Sequence, residues 1–226
     1  MMDSNSITQS FFDRSFEKEI NDNLFYRNYT FPMNKVLEYI NEIVNTPIEH
    51  YIEYIISHCS ISYIESSDVV QFSSLEAATY GITNRLKMTS DEGCSFVEIG
   101  QLLLKEQPTK NEIAYRKYGE NHTKTAREFG LVQILYNKTY SSCLGHVFPD
   151  LDESIRKRLL RRLMLRNKYF SLIIKISNNG PVSLDSQLGF LSESTKIRRL
   201  SNLKKCWGVI LEELTEDSDL YQNVTR

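Results

Sequence analysis

Apolar side chains recur along this chain mostly at helical spacing. Val36, Leu37, Ile40 and Val44 share one stripe of the stretch from Met33 to Val44, and Ile48, Ile52, Ile55 and Ile56 repeat it after Pro47. That spacing predicts two helices paired as an early hairpin. Ile61 to Phe72 is β-branched and alternating, as in a strand or a pair of loops. Leu75, Ala78, Ile82 and Leu86 form a further helical stripe, which Ser73 or Ser74 can cap, with Glu76 favourable in the first turn. Thr89 to Gly93 interrupts the pattern.

From Cys94 onward short periodic segments alternate with polar turns. Phe96, Ile99, Leu102 and Leu103 predict an amphipathic helix ending before Gln107-Pro108, because the residue preceding proline disfavours helical backbone. Thr109 and Glu112 have capping-box spacing, opening a second helix that runs to Tyr118-Gly119. A third spans Glu120 to Phe129 and stops at Gly130. Leu131 to Tyr136, Asn137-Lys138 and Thr139 to Leu144 then read as strand, turn and strand. Three helices and a hairpin are the order of a winged helix.

Asp150 to Glu153 place acid at the positive end of a helix that carries Arg161, Arg162, Arg166 and Lys168 toward its other end. Lys168 to Ile176 is another apolar segment, Asn178 to Pro181 a strong turn, and Ser183 to Leu188 a candidate short helix. Ile197, Leu200, Leu203, Trp207, Ile210, Leu211 and Leu214 show the clearest periodicity and predict one long helix capped near Ser192 or Ser194. The expected fold class is therefore mainly α: a winged helix-turn-helix plus further helical bundle elements, with a small β-hairpin wing. The expected division is an acidic helical interaction or dimerisation domain at 1–94, a winged-helix domain at 95–148, and a basic, helix-turn-helix-like region with an acidic tail at 149–226. No period of 20–50 residues recurs as a solenoid would require.

Composition narrows the class further. The 226 residues are 41% hydrophobic and 25% charged, with 9 Gly and 5 Pro, which excludes collagen-like and wholly disordered chains. No apolar run is long enough to span a bilayer and no secretory signal is legible, so the cytoplasm is expected and a membrane partner is not. The four cysteines are scattered, which predicts reduced thiols. The net charge of −2 hides an asymmetry: residues 1–100 carry 6 Lys/Arg against 15 Asp/Glu, whereas 105–205 carry 20 against 9. Such polarity points to a polyanion-binding region beside an acidic one.

Candidate contacts with double-stranded DNA follow from the wheel positions. In the helix from Glu120, His122, Ala126 and Phe129 point inward while Lys124 and Arg127 point out, with Asn121 at the margin; Lys138 falls at the expected wing tip. In the helix after Asp152, Lys157, Arg158, Arg161 and Arg162 form a dense basic side suited to phosphates. Arg198, Asn202 and Lys205, flanked by Lys196 and Arg199, face outward on the last long helix. Together with Ser183 to Leu191, and with Gly189 in the turn, that helix could form a second helix-turn-helix.

Catalytic and cofactor chemistry finds little support. No carboxylate pair precedes a lysine on a strand as metal-dependent nucleases require, Cys143-x-x-His146 has no second ligand pair, and neither GxxxxGK[ST] nor GxGxxG occurs. No metal, cofactor or catalytic residue is therefore assigned.

Phe96 to Leu103, Lys117 to Ala126 and Phe129 to Val132 resemble winged-helix DNA-binding modules of bacterial restriction-modification and phage-defence proteins. Leu191 to Leu200, with Trp207 downstream, is similar to the helix that follows such modules. The resemblance covers roughly residues 95–214 and implies nucleic-acid binding without implying a reaction. The expected function is thus sequence-specific DNA binding by a regulator or target-recognition factor. The alternatives are a restriction nuclease or its specificity subunit, and a protein adaptor. A homodimer is expected through residues 1–94, with protein rather than DNA as the partner of that acidic segment.

Overall fold

A computed structural model describes residues 4–26, 28–88, 93–104, 111–216 and 218–225. Among them lie twelve α-helices, a three-stranded antiparallel sheet and a two-stranded parallel one, so the chain is mainly helical. Two helices that hydrophobic spacing did not reveal come first, α1 (Ser4–Asp13) and α2 (Ser15–Asn23). The early pair follows as α3 (Met33–Asn45) and α4 (Ile48–His58). Ile61 to Phe72 is not a strand. It holds a 3-10 turn at Ser66–Asp68, in which Asp68 accepts from the Glu65 backbone at 2.9 Å, and its apolar residues Val69, Val70 and Phe72 are buried without strand pairing.

A helical stretch then begins at Leu75, passes through a π-helical turn (Ala77–Gly81) and continues as α5 (Ile82–Lys87). Its cap is Ser74, whose hydroxyl accepts from the Ala77 N–H at 3.2 Å. The expected breaks at Thr89–Glu92 and at Gln107-Pro108, and the cap at Thr109, lie outside the described residues. Next come β1 (Cys94–Ser95), α6 (Phe96–Leu103), α7 (Glu112–Glu128), β2 (Val132–Leu135), β3 (Lys138–Ser141) and α8 (Cys143–Val147). Strand β3 lies between β1 and β2, with Ile134 opposite Thr139 and Leu135 opposite Lys138.

Where two helices were expected around Gly119, α7 is continuous. Its cap is Asn111, whose side chain accepts from Ala114 at 2.9 Å. Gly119 marks a helix crossing rather than a stop. A Cβ there would lie 1.9 Å from the Phe96 carbonyl oxygen, and one on Gly100 would lie 2.0 Å from that of Tyr115. Only two glycines allow α6 and α7 to approach this closely.

The remaining elements are α9 (Glu153–Leu165), α10 (Lys168–Ser177), β4 (Val182–Ser183), α11 (Glu193–Leu211), α12 (Asp219–Asn223) and β5 (Val224–Thr225). The expected helix at Ser183–Leu188 is a run of turns. Ser183 pairs with β5, and its hydroxyl donates to Asp185, a local bond that competes with helix formation. The second helix-turn-helix therefore lacks its first helix, and Gly189 does not adopt a positive φ.

The chain forms two compact units. One combines residues 1–13, 42–70 and 157–226; the other combines 14–41 and 71–156. The stretches 1–94 and 149–226 thus each contribute to both. The first unit is built around Phe11, Ile48, Tyr51, Ile55, Leu163, Tyr169, Phe170 and Trp207, and the second around Val36, Ile82, Ile99, Ala126, Phe129, Leu144 and Phe148.

Candidate nucleic-acid interface

At 100° per residue, Arg116, Lys117, Glu120, Asn121, Lys124, Arg127 and Glu128 fall on one side of α7, and Gly119, His122, Thr123, Thr125 and Ala126 on the other. Burial follows this division. The second set is buried, Arg116, Lys117, Lys124 and Arg127 are exposed, and Asn121 is half-buried. Arg116 and Lys117 were missed by a reading that ended a helix at Gly119. The cations have carboxylate neighbours: Lys124 lies 2.6 Å from Glu120 and Arg127 lies 3.2 Å from Glu128. Exposed pairs of this kind contribute about 0–1 kcal/mol, so a phosphate can displace the carboxylate at little cost.

The buried side of α7 is fastened by polar bonds as well as packing. Gln71 donates its N–H to the Thr125 hydroxyl at 3.2 Å, and that hydroxyl donates to the Gln71 carbonyl at 2.9 Å. The His122 Nδ1 lies 2.8 Å from the Tyr118 carbonyl, which can only accept, so Nδ1 carries the proton, and Nε2 lies 3.3 Å from the Ser73 hydroxyl. Burial holds the imidazole below its ordinary pKa.

Helix α7 ends in a Schellman motif. Gly130 takes φ 75, its N–H reaches the Arg127 carbonyl at 2.8 Å, and the Leu131 N–H reaches that of Ala126 at 2.9 Å. The Ser142 hydroxyl donates to the Gly130 carbonyl at 2.6 Å, tying the far end of the hairpin to this turn. The hairpin turn itself is Tyr136-Asn137, one residue earlier than the sequence suggests, and both residues take left-handed φ values, 50 and 61. A two-residue turn with two positive φ angles is the type I′ geometry that favours Asn-Gly. Tyrosine there costs about 1 kcal/mol, and its side chain is 96% exposed. Lys138 is the first residue of β3 rather than a turn residue. Its charge helps to hold Glu98 below the ordinary carboxylate range, a shift led by the Ser95 N–H that Glu98 accepts at 2.6 Å.

The other expected contacts belong to the first unit, where many serve its interior. Arg162 is not on an open basic side: it is 0% exposed, ion-paired through both terminal nitrogens to Glu213, and donates to the Thr46 carbonyl at 3.1 Å. Arg161 donates to the Val209 carbonyl at 3.1 Å and pairs with Glu212 at 2.6 Å and Glu213 at 3.3 Å. Burial pushes the Glu213 carboxyl up, but the two guanidiniums outweigh it and leave its pKa below the ordinary value. Arg158 stands 3.9 Å from Glu213, and Lys157 is exposed.

On α11, Asn202 is buried rather than outward-facing, at 6% exposure. Arg199 is half-buried and donates to the Val69 carbonyl, and Lys196 lies 3.0 Å from Asp185. Arg198 and Lys205 are exposed, as is Lys204, which the wheel did not select. Ile197, placed on the apolar stripe by counting, is 62% exposed.

Folding also redistributes the charge asymmetry of the sequence. The unit holding α7 has 14 cations and 15 anions and the other 13 and 14, so each nets −1. Any polyanion surface is therefore local to a face and does not extend over a whole unit. Cys59, Cys94, Cys143 and Cys206 are all free thiols. Among the described residues no group of three or more His, Cys, Asp or Glu is placed to hold a metal ion, and no helix is long and apolar enough to cross a membrane. No protein family, curated protein or solved structure matches the chain.

Proposed function

We propose that this chain binds double-stranded DNA through a winged helix in the unit formed by residues 14–41 and 71–156, with α7 as the reading helix and the β2–β3 hairpin as the wing. The order of elements supports this reading: the helix from Leu75, then β1, α6, α7, β2 and β3, with β3 between the other two strands. The observation that carries it is the exposed side of α7, where Arg116, Lys117, Lys124 and Arg127 stand together while the opposite side is buried and hydrogen-bonded. Such a helix fits the major groove, where guanidinium and ammonium groups meet guanine edges and phosphates. Lys138 adds a phosphate contact from the hairpin.

The role in this reading is that of a regulator or target-recognition factor, in keeping with the resemblance of residues 95–214 to modules of restriction and phage-defence proteins. Selection of bound duplexes from a randomised pool tests it. An enriched site is expected, for which Lys124→Ala and Arg127→Ala each cost about 1–3 kcal/mol in affinity while the thermal transition stays put. A pool that gives no enrichment, or variants that bind the enriched site like the parent, overturns it.

A further inference from the structure

We infer that Tyr136 is a stacking residue that receives an unstacked nucleobase at the hairpin tip, an inference that rests on the DNA-binding reading and extends it. Leu135, Tyr136, Asn137 and Lys138 are four consecutive exposed residues, and the tyrosine is the most open large hydrophobic side chain among those described, at 96% exposure. Packing does not explain it. The turn does not explain it either, because a φ of 50 is a glycine or asparagine conformation that an Asn-Gly pair would fill without strain. A strained and solvated aromatic ring contributes nothing evident to folding, and such outliers gather where a ligand is met.

The neighbouring groups narrow the ligand. An exposed aromatic ring offers a π face, the Asn137 amide offers both donor and acceptor, and Lys138 offers a cation. Stacking plus phosphate neutralisation is the chemistry by which proteins hold bases that have left the duplex stack, and it tolerates any base because each has a π face. Aromatic and apolar side chains also serve as wedges that unstack a base step. The hairpin would therefore favour DNA with an opened or distorted step over a uniform duplex, while α7 engages the neighbouring paired region.

The test compares fluorescence anisotropy of the full chain on two probes at matched salt: a duplex of about 30 base pairs, and the same duplex with about three unpaired nucleotides at its centre. The parent is expected to bind the opened probe about tenfold tighter than the duplex. Tyr136→Gly should bring that preference to within about twofold, and Tyr136→Trp should keep it. The thermal transition of the glycine variant should be at or above the parent's, since glycine accepts the positive φ. A parent that binds duplex with salt dependence but shows no preference, or a glycine variant that retains the preference, overturns the stacking role alone and leaves the tip to a protein contact. A parent that binds neither probe overturns the DNA-binding reading itself.

Discussion

Arg161 and Arg162 are adjacent in sequence and of the same charge, yet the first keeps its edge near solvent while the second is enclosed with Glu213. Removing the enclosed guanidinium leaves Glu213 to Arg161 at 3.3 Å and Arg158 at 3.9 Å and strands the Thr46 carbonyl, so Arg162→Leu should lower unfolding free energy by about 1–3 kcal/mol in denaturant titration. Its effect on DNA affinity at matched folding should be negligible. Because the Glu213 carboxyl lies below its unfolded value, the stability it lends is complete above the ordinary carboxylate range and is lost as pH falls through its folded value. Glu213→Gln should flatten that acid limb; an identical limb in the variant would contradict the pairing. His122 acts in the same direction at higher pH. Its folded pKa is depressed, so the unfolded chain binds the proton more readily, and stability present above about pH 6.5 declines on acidification. His122→Gln should remove that part of the slope, and DNA affinity should weaken in the same pH window because Ser73 holds the reading helix through this ring.

At the scale of elements, the crossing of α6 and α7 depends on two missing methyl groups. Gly119→Ala raises intrinsic helix propensity by about 1 kcal/mol. The methyl, however, meets a backbone carbonyl at 1.9 Å, and overpacking of this kind costs about 1–3 kcal/mol or more. A net loss of thermal stability is expected; a gain would mean that the helices separate freely. This glycine also shows what local pattern can and cannot convey. Hydrophobic spacing located α3, α4, α6 and α11 because each buries a stripe, α9 was legible from the acid and base at its two ends, and Gly130 was legible as a stop because its αL cap is local. Gly119 carries the same letter for a different reason, close approach, which only the partner helix reveals. Arg162 was read as open because its counterion lies 51 residues away. The hairpin was legible from its alternation. Its turn fell one residue late because a tyrosine occupies a position that usually signals itself with asparagine or glycine.

In the whole molecule, interleaved chain segments bring acidic and basic stretches together, so that neither unit has a strong net charge. DNA binding on this account comes from one face of α7, and its salt dependence should be modest. Of the isoleucines that suggested a dimer, Ile48, Ile52 and Ile55 are buried and Ile56 is half-buried. The most direct measurement is the slope of log affinity against log salt for a duplex. Four cations on α7 predict about −3 to −4, and Lys117→Ala with Lys124→Ala should reduce its magnitude by about two with no change in the thermal transition. A parent that shows no salt-dependent binding, or a double variant with the parental slope, would contradict α7 as the DNA-contacting element.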